Sequence, residues 1–335
     1  MDTSIFSDIY IKNNILPLYN LYNSKVALVK FKDTDKQRAV YKITHHNKIY
    51  CLKKVYFQLD ELLFVYSALE WLYRNNFFVP HLLSSIYGEK YIKIENNYFI
   101  LTPWLNGEKC DFDNKNHITL SAKALATMHK ISYNFYPIIK NKKRIQNYNH
   151  YISTLKHFEE LISISTFGLK SNDDFSKEFS KEFKTHLSLA EISLMYATKI
   201  NECNLTTSLC HGDYVNKNII IDNEKIAVID FDKCKIGFIA NDISYFLRRC
   251  LRREHTSWNI NVFKNFINNY TSINPLSKSD LYFIISYLAF PQKFWKISKD
   301  YYFGKINNSN GKNIIKKLNE KAKYQLDFIN TITSL

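Results

Sequence analysis

At 335 residues and 39.7 kDa the chain is long enough for two lobes that share a substantial core. Hydrophobic residues make up 46%, which excludes a disordered chain, and 7 Gly with 6 Pro are too few for many tight hairpins, so a largely helical chain is expected. The net charge of +15 has two readings, attraction to anions such as nucleotide or phosphorylated substrate or a compositional bias in which Lys, Asn, Ile and Tyr rise together; the scattering of the basic residues favours the second, and no nucleic-acid partner is expected.

In chain order, residues 8–23 have apolar positions at helical spacing, with Pro17 breaking or bending the helix. From Lys25 to Phe57 three β-rich runs, separated by the polar turns 33–38 and 46–48, predict three antiparallel strands. Residues 59–75 predict a helix that ends before Pro80. Residues 91–104 predict a hairpin turning at two Asn residues. After Gly107 helices are predicted over 117–133, 147–163, 174–200, 239–253, 259–270, 278–289 and 311–333, interrupted by short strands over 207–232. A small β-rich front third is thus joined through Thr102–Asn106 to a large helical remainder.

Six Cys stand at 51, 110, 203, 210, 234 and 250, none in a CxxC pair, so reduced thiols in a reducing compartment are expected rather than zinc or disulfides. The N-terminus has no signal-peptide pattern. The longest apolar run, Leu281–Phe290, is about half the ~20 residues a membrane span needs. A cytoplasmic chain with no membrane partner is expected.

The chemistry concentrates in Cys210-His211-Gly212-Asp213-Tyr214-Val215-Asn216-Lys217-Asn218, followed by Val228-Ile229-Asp230-Phe231-Asp232. Gly212 suits a tight turn that presents Asp213 as a base for an acceptor hydroxyl. Asn218 offers a neutral oxygen to a magnesium site already rich in negative charge. Ile219–Ile221 and Ala227–Ile229 read as a hairpin turning at Asp222-Asn223, which would bring Asp230 beside Asn218 and leave Asp232 to assist at the metal. The Arg248, Arg249, Arg252 and Arg253 cluster, at helical spacing, is either an anion-facing stripe or a wet helix face.

HGDYVNKN with VIDFD resembles the catalytic loop and metal segment of the aminoglycoside phosphotransferase and choline kinase superfamily; LATMHK (125–130) and Asn241-Asp242-Ile243 agree with it. CLKK (51–54), LLFVYSALEWL (62–72), Val79-Pro80, ILTPWLNGE, CHGDY, VIDFDKC and DISYFLRR together resemble the CotS family of spore coat proteins over residues 15–295. The resemblance implies an α+β, bilobal protein-kinase-like fold, with a small β-rich lobe over 1–103 and a larger helical lobe over 104–335, made during sporulation of an endospore-forming bacterium.

By the same resemblance Lys53 is the phosphate-holding lysine of the third strand, and Lys54, on the opposite face, is solvated. Its acidic helix partner falls near Val65 in the superfamily; here Glu61, one turn earlier, is the substitute, with Glu70 facing water. Thr102 and Trp104 flank Pro103 in the connector that meets adenine, and only those two positions can offer a backbone donor. His211 supports the loop and Asp242 braces it. The first hairpin, Val26–Val40, has no Gly, and the connector has no acidic residue. ATP, or another nucleoside triphosphate, and Mg2+ are the implied cofactors, with a small-molecule or saccharide acceptor and other spore coat proteins as partners. Two functions remain: an ATP- and magnesium-dependent phosphotransferase acting on a hydroxyl, and a kinase-shaped structural component of the coat that does not turn over.

Overall fold

Strand alternation decides what the first part of the chain can build. In the computed structural model, which describes residues 5–32, 37–305 and 308–334, β1 (Lys25–Lys32), β2 (Arg38–His45), β3 (Lys48–Val55), β4 (Ile92–Ile94) and β5 (Asn97–Pro103) form one antiparallel sheet in the order β1-β2-β3-β5-β4. The three expected strands and the expected 91–104 hairpin are present. Residues 33–36 of the first polar turn lie outside the described residues.

The cross-strand register aligns Tyr41, Leu52 and Leu101 on one face and Val40, Lys53 and Ile100 on the other. The first face is covered by the N-terminal segment through Ile11, Ile15, Leu16 and Tyr19. That segment is broken rather than one continuous helix, as expected of Pro17. It runs as α1 (Asp8–Tyr10), a π-helical turn (Ile11–Ile15) and a 3-10 turn (Leu16–Tyr19), because Pro17 supplies no N–H and cannot sit inside a longer helix. Lys54 shares this covered face. It is 7% exposed and donates to the Gln37 carbonyl at 3.0 Å, so it is buried rather than solvated as expected.

The second face of the sheet lies toward α2 (Leu59–Arg74), whose start and end fall within one residue of expectation. A second small sheet has the order β6-β8-β9, from β6 (Glu108–Lys109), β8 (Ile219–Asp222) and β9 (Lys225–Val228). Gly107, at φ 128, lets the chain approach it: a Cβ there would stand 2.6 Å from the Ile221 carbonyl oxygen. Together with residues 130–145 these elements make the first of two compact units, comprising the chain up to Cys110, Lys130–Ile145 and Lys217–Lys235.

The second unit holds Asp111–His129, Gln146–Asn216 and the chain from Ile236. Its helices are α3 (Lys115–Ile131), α4 (His150–Gly168), α5 (Asp174–Lys181), α6 (Phe183–Thr198), α7 (Ile239–Leu251), α8 (Ile260–Thr271), α9 (Lys278–Ala289), α10 (Gln292–Tyr302) and α11 (Asn308–Thr333). β7 (Thr207–Cys210) pairs with β10 (Lys235–Phe238). The single helix expected over 174–200 is two, broken at Glu182 with φ −118 and ψ 15. Leu161, Phe175, Phe179, Ala190, Phe294 and Ile315 form a shared core among five of these helices. Among the described residues no helix is long and apolar enough to cross a membrane.

Two imidazoles are built into this helical core. His150 lies 4.0 Å from the Phe283 ring and bonds Ser286; His186 stacks on Phe294 at 3.8 Å and bonds Asn319. Burial pushes both down to about 4, with the charge of His157 adding to the push on His150 and the Asn319 contact opposing it on His186. Below the ordinary value of 6.5 the unfolded chain takes up protons that the folded chain refuses. Stability is therefore full above that pH and falls toward pH 4, by an order of about 3 kcal/mol per imidazole at the limit. Urea titrations between pH 7 and 4 should show a slope that flattens in His186→Gln; an unchanged slope would contradict the assignment.

Candidate active site

The register of β3 puts Lys53 on the face of the sheet away from the N-terminal segment. Its ammonium donates to Asp230 Oδ1 at 2.8 Å and to Asp232 Oδ1 at 2.6 Å. Burial alone would push this ammonium down, but the Asp232 and Asp230 carboxylates outweigh it and hold it well above the usual lysine range.

Both carboxylates come from the end of the β8–β9 hairpin. Ile219 pairs with Val228, and the Ile229 N–H donates to the Asn218 carbonyl at 2.9 Å, so Asn218 and the Asp230 segment are neighbours although Asn218 and Asp230 are twelve positions apart. Asp230 adopts φ 67 and ψ 56, a left-handed conformation uncommon outside Gly, Asn and Asp. Asp232 is 5% exposed, and its Oδ2 accepts no hydrogen bond, with the Arg38 guanidinium at 3.6 Å. Two carboxylates and a carboxamide, one carboxylate oxygen buried and unsatisfied, are the donor chemistry a hard divalent cation takes. The residues fit magnesium.

These groups border a cavity of about 440 Å3 that lies wholly within the first unit. Val40, Cys51, Ile100, Ile220 and Ile229 give it apolar walls. Lys30, Arg38, Lys53, Lys109 and Lys217 set five cations around it against the carboxylates Asp230 and Asp232. Lys30 is pushed down by partial burial and then by Arg38 and Lys217, the direction expected where cations crowd without enough anion between them. Lys217 was legible as part of the motif; Lys30 and Arg38 sit on ordinary strand positions and carried no local signal.

Three expectations are corrected here. Glu61 does not meet Lys53: the buried Arg144 takes it at 3.3 Å and also donates to the carbonyls of Asp232 and Cys234. The position that faces the cavity from α2 is Val65, with Leu69, so the helix supplies hydrocarbon where an acid was expected. Glu70 meets Arg74 at 2.7 Å in an exposed pair, consistent with a residue facing water. In the connector, Trp104 donates its N–H to the Ile49 carbonyl at 3.0 Å. The alternation of an antiparallel ladder then directs the Thr102 amide toward its partner Cys51. Neither position keeps the donor expected of it, and Pro103 has none. Thr102 and Trp104 nevertheless line the cavity.

In the second unit β7 leads into the turn that carries Asp213. Gly212 has φ 75, the backbone state that the turn requires and a side chain would oppose. Asp242, on α7, accepts the N–H groups of His211 at 2.6 Å and Gly212 at 2.9 Å. Burial pushes its carboxyl up, but His129, His211 and the Gly212 amide outweigh that and hold it below the usual carboxylate range. The Asp213 N–H donates to His211 Nδ1 at 3.1 Å, so His211 fixes the turn from inside. Tyr245 donates to Asp213 Oδ1 at 3.4 Å and itself accepts from Arg249 at 2.7 Å.

Residues 32–276 match the phosphotransferase enzyme family, and the chain belongs to it. Its fold is kinase-like. An aminoglycoside phosphotransferase from Alicyclobacillus acidocaldarius subsp. acidocaldarius is similar with a TM-score of 0.78 and 15% identity, over 95% of this chain and 94% of that one. A spectinomycin phosphotransferase solved with ADP and spectinomycin has a TM-score of 0.65 and 16% identity, over 97% and 98%. An amicoumacin kinase solved with AMP-PNP and Ca2+ has a TM-score of 0.63 and 14% identity, over 95% and 93%.

Asp242 bears the most weight in the Asp213 turn, since removing it strands the buried His211 N–H and the partly buried Gly212 N–H. Asp242→Ala should lower the unfolding free energy by about 3 kcal/mol in urea titration. A loss within the ordinary surface range of about 0.5 kcal/mol would show that the turn holds itself.

Proposed function

We propose that the protein is a phosphotransferase that moves the terminal phosphoryl group of ATP to a hydroxyl of a small molecule or saccharide, with Mg2+ as cofactor. The observation that carries this reading is the Lys53 ammonium bonded to both Asp230 and Asp232 beside Asn218, in a cavity whose charged lining is mostly cationic. Membership of the phosphotransferase family supports it. The nucleotide seen in solved relatives, ADP in one and AMP-PNP with Ca2+ in another, supports the cofactor class.

In this reading Asn218, Asp230 and Asp232 hold Mg2+, which supplies positive charge to the nucleotide phosphates. Lys53 takes a phosphate oxygen, and the surrounding cations offset the remaining negative charge. Asp213 accepts the proton of the acceptor hydroxyl. The hydroxyl oxygen then forms its bond to the terminal phosphorus, while the bond from that phosphorus to the bridging oxygen breaks and its electron pair leaves with the nucleoside diphosphate. Tyr245 and His211 keep the Asp213 carboxylate and its turn in one orientation. The base of the nucleotide is held by the apolar walls and Trp104 rather than by amide donors at 102–104.

The CotS resemblance of residues 15–295 supports a place in the spore coat. One structural feature favours the reading in which that place is purely structural: the amide donors expected of Thr102 and Trp104 are directed into the sheet, which weakens the recognition of adenine. Nucleotide binding separates the two. A ligand at about 100 times its Kd stabilises by about 2.7 kcal/mol, so ATP with Mg2+ should raise the melting temperature by several degrees, and much less in Asp230→Ala. No shift at millimolar nucleotide would favour the non-enzymatic coat component. Asp213→Asn should keep the shift and lose ADP release by two or more orders of magnitude, about the contribution of a general base; retained turnover would remove Asp213 from the reaction.

A further inference from the structure

The second unit contains its own cationic cavity, of about 400 Å3. Arg248, Arg252, Lys293, Lys317 and Lys321 line it, with Glu254 and Glu320 as the carboxylates. Among the described residues neither carboxylate, nor any other, lies within ion-pair distance of Arg248, Arg249, Arg252 or Lys293. Arg253 shows the contrast: it meets Asp113 at 2.7 Å. Arg248 is instead held against an aromatic ring, 4.0 Å from the Tyr287 centroid and donating to its hydroxyl at 2.7 Å.

The line of cations is connected to the Asp213 turn. Tyr245, Arg249 and Arg252 stand at helical spacing along α7 and its C-terminal cap, and Tyr245 is the residue that reaches Asp213. Seven residues of helix from Tyr245 to Arg252 span about 10 Å. Cations at a helix C-terminus are favourable where solvent covers them, but Arg248 and Arg252 are half-buried. Burial and the charges of Arg248 and Arg249 push Arg252 down to about 10, and burial with Arg252 and Arg249 lowers Lys293. The cluster is crowded with like charge, and among the described residues no carboxylate pairs with it.

We infer that the acceptor is an oxyanion: a hydroxyl compound whose carboxylate or phosphate group binds the Arg248, Arg252 and Lys293 wall of this cavity, about 5–10 Å from the hydroxyl given to Asp213. This rests on the phosphotransferase reading for the role of the ligand, though not for its binding. It sets the chain apart from an acceptor site built for polycations, which would line its wall with carboxylates.

The test uses the full chain and one sugar ring in three charge states: glucose 6-phosphate, glucose and glucosamine, with inorganic phosphate as the bare headgroup, all at fixed ionic strength. Glucose 6-phosphate should give a saturable rise in melting temperature, with glucose and glucosamine giving none. Arg252→Gln combined with Lys293→Gln should weaken its binding by about tenfold or more, the scale of one lost charge-assisted contact. Lys53→Ala, in the other cationic cavity, should leave that shift in place. The ligand-free double variant should melt no lower than the parent, since like charge has been removed; a lower melting point would make these cations structural and overturn the proposal. No shift with either glucose 6-phosphate or phosphate, or an equal shift with glucosamine, overturns it too. The two readings fail separately. Oxyanion binding without ADP release from any acceptor would sink the phosphotransferase and leave the anion site, whereas ADP release on glucosamine that ignores Arg252 would do the reverse.

Discussion

A partly buried lysine held by two aspartates is the constraint to which the first unit is subordinate. The ammonium of Lys53 cannot be taken out of water without compensation, and the Asp230 and Asp232 carboxylates, themselves partly buried, cannot either. Meeting at 2.6 to 2.8 Å, the three groups answer one another. That meeting requires β3 to keep its register, since a slip of one residue would turn Lys53 to the face that holds Lys54. It requires the β8–β9 hairpin to end where it does, and Asp230 to accept a left-handed backbone. Arg144 completes the arrangement by pinning the carbonyls of Asp232 and Cys234. An assembly with this many conditions, and with one carboxylate oxygen still unsatisfied, is poorly explained by stability alone.

Charge has a second lesson. Part of the surplus of basic residues, scattered in the sequence, lines two cavities, one in each unit. In the first, cations surround a pair of acids and so suit a polyphosphate with its metal. In the second, Arg248 backs onto the Tyr287 ring and, among the described residues, no carboxylate pairs with Arg248 or Arg252, which suits a ligand that brings its own negative charge. The compositional explanation of the +15 charge accounts for its amount and not for this placement.

The sequence was most legible where one residue type can do a job. The strands of the first sheet and helix α2 follow from period and breaker residues, and HGDYVNKN with VIDFD pointed to the three acids Asp213, Asp230 and Asp232, to Asn218 and to Gly212. It was least legible where distant side chains compete for the same partner. Glu61 looked like the acid for Lys53 because spacing along a helix says nothing of Arg144, some eighty positions away, which reaches it first. Thr102 and Trp104 looked like donors because local sequence does not reveal that the strand continues far enough for Ile49 to accept the Trp104 amide. The break at Glu182, with no Gly or Pro beside it, and the burial of Lys54 belong to the same class of long-range outcome.

The account is tested most directly by manganese electron paramagnetic resonance, because Mn2+ substitutes for Mg2+ at oxygen ligands and its free and bound signals differ. With AMP-PNP present, the wild type should remove Mn2+ from the free signal in stoichiometric amount, and Asn218→Ala and Asp230→Ala should each leave most of it free. Equal uptake by the wild type and both variants, or no uptake by any of them, would show that these side chains do not share a metal ion.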